Sequence, residues 1–99
     1  MTLTEKQKKF LRGLAHGRHA LVQLGKEGYS DAVSQEMDRA LTAHELVKVR
    51  ARLGDRDERN ATFERLAETS TSVLVQRIGN VGVFFRQRKE KSKIILPDG

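Results

Sequence analysis

Residues 20–30, Ala20-Leu21-Val22-Gln23-Leu24-Gly25-Lys26-Glu27-Gly28-Tyr29-Ser30, decide how this chain is read. The apolar run Ala20 to Leu24 has strand character and stops at Gly25. A helix-like pattern starts at Ser30. A G-x-x-G loop joins the two. Its glycines let the backbone take φ > 0 and approach another chain closely. The helix that follows turns its free N–H groups and positive dipole end towards the loop. That geometry suits a phosphate backbone; the plain alternative is an ordinary strand-to-helix turn.

Towards the N-terminus, Thr4 begins a first helix, with Gln7 three residues on as its capping-box partner. Phe10, Leu11 and Leu14, with Gln7 on the same side, mark the inner stripe. Phe10 is expected in the core. Lys6, Lys8, Lys9 and Arg12 lie mostly off that stripe. Gly13 is costly inside a helix and predicts close packing against a neighbour. Gly17 suits the helix end.

Towards the C-terminus, Val33, Met37, Ala40 and Leu41 share one face of a second helix capped by Ser30. Thr42-Ala43-His44-Glu45 is expected to turn into strand two, with His44 fixing the turn. There Val47, Val49, Ala51 and Leu53 alternate with Lys48, Arg50 and Arg52. Period two puts the three cations on one sheet face, which is expected to meet solvent or a partner. Asp55 or Asp57 caps a third helix that buries Phe63, Leu66 and Ala67. Val73 to Ile78 and Val81 to Arg86 form a hairpin about Gly79-Asn80. Phe84 and Phe85 point to opposite faces, so at least one is a candidate for exposure. Residues 87–99 form a basic tail, charged and mobile in its first part, with Ile94-Ile95-Leu96 able to dock back before Pro97. The order α-β-α-β-α-β-β predicts an α/β (α+β) fold with a four-stranded mixed sheet and packed helices.

The 99 residues suit one domain, 1–99, whose 37% apolar content supplies one modest core. Cysteine is absent, which removes disulfides and thiolate metal sites and fits a reducing cytoplasm. No apolar run is long enough to span a bilayer, so no membrane partner is expected. The net charge is +6 and is unevenly spread. Residues 1–28 carry +4, residues 29–72 carry −2 and residues 73–99 carry +4. If the two ends meet, they build one basic surface that attracts polyanions through counterion release.

Lys48, Arg50 and Arg52 read either as a solvated strand face or as phosphate contacts. Lys6, Lys9 and Arg12 carry the same two readings on the first helix. Arg86, Arg88 and Lys89 belong either to a disordered solubilising tail or to an arm that folds on RNA. Tyr29 either stacks on a base or packs where the second helix begins. His16, His19 and His44 do not make a zinc-ligand cluster, and no nucleophile–base set, Walker loop or carboxylate pair is present. The expectation is no catalytic residue, no metal and no cofactor.

The blocks Lys6-Gln7-Lys8-Lys9-Phe10-Leu11-Arg12-Gly13-Leu14-Ala15-His16, Leu24-Gly25-Lys26-Glu27-Gly28 and His44-Glu45-Leu46-Val47-Lys48-Val49 resemble the CRM domain, the chloroplast RNA splicing and ribosome maturation domain, whose stand-alone bacterial form is the YhbY family. Val75-Gln76-Arg77-Ile78-Gly79, Val83-Phe84-Phe85-Arg86 and Leu96-Pro97 continue the resemblance in the same order, over nearly the whole chain. The resemblance implies a fold similar to the C-terminal domain of translation initiation factor three. It implies RNA binding through a KH-like loop. The residues it points to are Gly25, Lys26, Glu27, Gly28 and Tyr29, with the basic residues already named. Bacterial members are linked to precursors of the large (50S) ribosomal subunit, so precursor 23S ribosomal RNA is the expected partner of a cytoplasmic monomer. Plant multi-domain relatives are linked to group II intron splicing. The alternative is a protein-interaction module on ribosome-assembly particles with incidental RNA affinity; a weaker one is an enzyme using the histidines. The chain departs from the family pattern at Glu27, an acid inside the loop, and at Thr71, where the family often has glycine.

Overall fold

The computed structural model describes residues 2–52 and 54–99. Its elements are α1 (Glu5–His16), β1 (Ala20–Leu24), α2 (Asp31–His44), β2 (Leu46–Ala51), α3 (Arg56–Thr69), β3 (Val73–Ile78) and β4 (Val81–Phe85). Each helix starts where a short polar side chain can serve an orphan N–H. Thr4 Oγ1 accepts from the Gln7 N–H at 3.1 Å while Gln7 Oε1 accepts from the Thr4 N–H at 3.0 Å. Ser30 does the same for Val33, and Asp55, rather than Asp57, for Glu58.

The sheet is mixed, in the order β1-β2-β4-β3, with β1 parallel to β2 and the other pairs antiparallel. The parallel pair carries the carboxyl ends of β1 and β2 to the same end of the sheet. The Gly79-Asn80 turn arrives there too. Ala51 N–H donates to Asn80 O at 2.7 Å, and Arg52 N–H to Leu24 O at 2.9 Å. Three connections therefore converge at one place: the glycine loop, the start of the β2–α3 loop and the hairpin turn.

Both sheet faces are covered. On one, α2 and α3 bury Met37, Leu41, Phe63 and Leu66 against Val22, Val47, Val49 and Phe84. Phe63 and Phe84 meet edge to face at 5.8 Å, a geometry aromatic pairs favour. On the other, α1 and the tail bury Leu3, Leu11, Ala15 and Ile94 against Leu46, Val83 and Phe85. The double cover corrects the expectation for Phe84 and Phe85: both are fully buried, one in each core.

Other expectations shift for local reasons. Leu11 and Ala15, not Phe10 and Leu14, are the buried residues of α1, so its inner stripe is rotated; Phe10 and Leu14 stand exposed. Gly13 has open space where a side chain would go, so close packing does not explain it. α2 runs on to His44, and the turn into β2 is made by Glu45 alone, at φ +64°. β4 ends at Phe85, one residue early. Leu53 of the expected β2 alternation lies outside the described residues.

Candidate nucleic-acid interface

β1 ends at Leu24 and the chain turns at once: the Gly28 N–H donates to Gly25 O at 3.0 Å, with Lys26 and Glu27 at the corners. Gly28 is buried at φ +68°, a left-handed conformation that favours glycine. Gly25 has an ordinary φ and free space at its Cβ position, so only the second glycine is demanded by geometry. The turn also consumes the Gly28 N–H, which is therefore not available to a phosphate. Lys26 and Glu27 stand exposed, and their N–H groups are the main-chain donors left at the tip. The N-terminus of α2 follows directly, already holding Asp31 in its first turn. Two carboxylates, those of Glu27 and Asp31, thus flank the loop.

The cations lie beside the loop rather than in it. An open hollow of about 730 Å³ is lined by Lys26 from the loop, Arg50 and Arg52 from the end of β2, Arg59 from α3, and Asn80 from the hairpin turn. The β2 register sets this up: Arg50 pairs with Gln23 on one side and Val81 on the other, at the end where the loops meet. Lys26, Arg50, Arg52 and Arg59 form no ion pair among the described residues.

Lys48 lies two residues back on the same face as Arg50, about 7 Å away by strand geometry. It is half-buried beneath the end of α1, so the face expected to be open is partly roofed. Its Nζ donates to Arg18 O at 3.0 Å. Arg12 and His16 share a smaller depression with Lys48, Gln76 and the exposed Ile78. The structure therefore brings Arg12, Lys48, Arg50, Arg52 and Lys26 into one basic track from α1 to the glycine loop. Lys6 and Lys9 are exposed on α1 towards its other end.

Arg86 and Arg88 are placed differently. The Arg86 guanidinium reaches Asp38 Oδ1 at 2.8 Å, Ser70 O at 2.9 Å, Asp38 O at 3.1 Å and Thr42 Oγ1 at 2.9 Å. Arg88 donates to Thr42 O and Ala43 O, both at 2.7 Å. Arg88 satisfies two of the last carbonyls of α2, Arg86 reaches the C-cap carbonyl of α3 at Ser70, and both oppose the negative dipole ends of these helices. Lys89 remains exposed.

The tail they belong to is ordered around Glu45, which sequence reasoning missed. Its carboxylate is buried and accepts from the Arg88 N–H at 2.9 Å, the Lys93 N–H at 2.8 Å and the Ser92 hydroxyl at 2.6 Å. Burial pushes the Glu45 carboxyl up. Hydrogen bonds from Ser92 and from the Arg88, Lys93 and Ile94 backbones outweigh it and leave the pKa below the ordinary value. No local signal announces this role, because the partners lie 43 to 48 residues away.

Tyr29 packs against the α2–α3 core, and the Arg65 guanidinium stands 4.0 Å from its ring centroid. Hydrogen bonding to Ser34, then to Thr69, holds its pKa below the usual tyrosine value. The ring face under Arg65 is taken, which favours packing over base stacking. Among the described residues no group of three or more His, Asp or Glu is placed to hold a metal ion, and no helix is long and apolar enough to cross a membrane. Arg59, Arg65 and Asn80 were also missed. Arg59 and Arg65 read as ordinary charges on an exposed helix, and Asn80 as a turn residue.

Comparison with known proteins gives one consistent answer. The chain is 41% identical over 95 residues to "Probable RNA-binding protein YqeI" of Bacillus subtilis, covering 96% of this chain and 99% of that one. It is 38% identical over 96 residues to an RNA-binding protein of Haemophilus influenzae, covering 97% and 96%. A solution structure of a Staphylococcus aureus protein matches with a TM-score of 0.84 at 38% identity, over 97% of this chain and 100% of that one. The model of the CRS1 / YhbY (CRM) domain matches residues 3–86. By sequence, fold and coverage, this chain belongs to the CRS1 / YhbY (CRM) domain family.

Proposed function

We propose that this protein binds precursor ribosomal RNA and assists assembly of the large ribosomal subunit, acting as a cytoplasmic monomer without catalysis. One observation carries the RNA part: cations from three separate elements, with no ion pair among the described residues, collect around a glycine loop at one end of the sheet. The relatives named as RNA-binding proteins support the same reading. Contact is made mainly to the backbone. The loop tip offers the Lys26 and Glu27 N–H groups, and the track from Arg12 to Lys26 supplies charge. Such contacts give affinity and register with little choice of sequence. Aromatic platforms are few, and Tyr29 is packed, so shape and backbone dominate over base stacking.

Family membership points the reading towards the precursor of the large subunit and its 23S RNA. Crosslinking in cells with mapping of the bound RNA is the test. Reads concentrated on precursor 23S RNA are expected; reads mainly on messenger RNA, or none, reject the ribosomal part. In vitro, affinity for RNA should fall steeply with salt, by about 0.7 log units per log unit for each phosphate held on a single strand. A salt-insensitive interaction rejects the backbone mechanism.

A further inference from the structure

We propose that the hollow between the glycine loop and the first turn of α3 is a phosphate site in its own right, with Arg59 as its anchoring residue. The proposal rests on the RNA reading above and extends it to a contact outside the loop.

Arg59 is half-buried in α3. One terminal nitrogen donates to Gly54 O at 3.1 Å, which fixes the guanidinium plane at the wall of the hollow. Its Nε is enclosed by protein and out of a ligand's reach; the second terminal nitrogen, which makes no hydrogen bond among the described residues, is the donor left for the hollow. The other polar side chains of the lining are those of Lys26, Arg50 and Arg52, all cations, and the Asn80 amide. Gly54 also lines the hollow, and the Glu58 carboxylate lies against it, so one acid stands at the edge of the cation cluster. Like charges gathered around an open volume repel one another until an anion enters.

The chemistry of the donors selects the anion. Three guanidinium groups present planar forks that suit phosphate oxygens, Lys26 adds a point charge, and the Asn80 amide adds a neutral donor. Lys26 belongs to both the loop and the hollow, so a phosphate at the loop tip and one in the hollow fall along one strand. The occupant is a phosphate of the bound RNA, internal or terminal.

The test is fluorescence anisotropy of a short single-stranded RNA, with a 5′-hydroxyl or a 5′-phosphate, across a salt series. Arg59→Gln is expected to weaken binding about tenfold and to lower the log–log salt slope by about 0.7. Equal loss with both RNAs assigns an internal phosphodiester, and loss confined to the 5′-phosphorylated RNA assigns a terminal phosphate; both support the site. Arg39→Gln makes the same charge change on exposed α2, away from the hollow, and should leave the slope at the wild-type value. If Arg59→Gln disturbs the fold, Asn80→Asp carries the test, since it adds a carboxylate at the rim and leaves the Arg59–Gly54 contact alone. Its affinity should fall several-fold. Wild-type affinity and slope in the folded variants overturn the hollow while leaving the RNA reading intact. Failure of the wild-type protein to bind RNA in a salt-dependent way overturns both.

Discussion

The two ends of β2 carry the same kind of residue and use it in opposite ways. At the Leu46 end, Arg86 and Arg88 are spent on Asp38, Ser70, Thr42 and Ala43, and Glu45 receives the tail that brings them. At the Ala51 end, Lys26, Arg50, Arg52 and Arg59 face an open hollow with no ion-pair partner among the described residues. Counting charge along the chain does not separate these cases. What separates them is whether carbonyls or carboxylates stand within reach once the chain is folded. The first end is a structural joint, and the second is the surface we propose for RNA phosphate.

The largest effect expected is at the joint. Glu45→Ala strands two backbone N–H groups and a hydroxyl that the carboxylate now holds, and it should cost about 3 kcal/mol in urea unfolding. The depressed pKa sets a pH signature. The ionised Glu45 contributes fully above its ordinary value of 4.5, and that contribution is lost as pH falls through the lower folded-state value. The stability gap between wild type and Glu45→Gln should therefore be constant near neutrality and close in acid. A gap that widens in acid would mean the carboxylate is not the acceptor.

A crossed pair sharpens the contrast. Arg86→Gln removes a partly buried, four-bonded guanidinium and should cost about 2 kcal/mol of stability, leaving the RNA salt slope unchanged. Arg52→Gln alters an exposed side chain and should change stability by less than about 0.5 kcal/mol. It should lower the slope by about 0.7. If Arg86→Gln lowers the slope as well, the joint also contacts RNA and the division between the ends fails.

The element order was legible because each signal was local: three polar caps, one apolar run, one apolar alternation and a Gly-Asn hairpin turn. The Leu11 and Ala15 stripe was harder to place. Phe10 and Leu14 are as apolar as Leu11, and only the docked tail and sheet decide which side of α1 is buried. The site divided in the same way. Gly28 was readable from its position after a strand, and Lys48, Arg50 and Arg52 from period two. Glu45, Arg59 and Asn80 were not, because each acquires its role from residues far along the chain. The basic tail was misread as mobile for that reason: its partner is a single buried carboxylate that resembles any other acid in the sequence.

The smallest effect concerns two left-handed positions, one at each end. Gly28 at φ +68° is suited to its turn, whereas Thr71 holds φ +53° with a β-branched side chain. Thr71 closes α3 through a Schellman arrangement: the Ser72 N–H reaches Ala67 O at 2.9 Å and the Thr71 N–H reaches Glu68 O at 3.3 Å. The chain keeps that turn without the glycine it favours, because the two bonds, and Arg86 donating to the adjacent Ser70 O, hold it in place. Thr71→Gly should relieve strain of about 1 kcal/mol and give back part of it in unfolded-state entropy. The net gain is about 0.5 kcal/mol, seen as a higher urea midpoint at unchanged m. Gly28→Ala, the mirror change, should lose about 1 kcal/mol and weaken RNA binding together, since its turn presents Lys26. Because Thr71 lies next to the Arg86 contact at Ser70 and not in the hollow, its gain in stability should come with no change in RNA affinity.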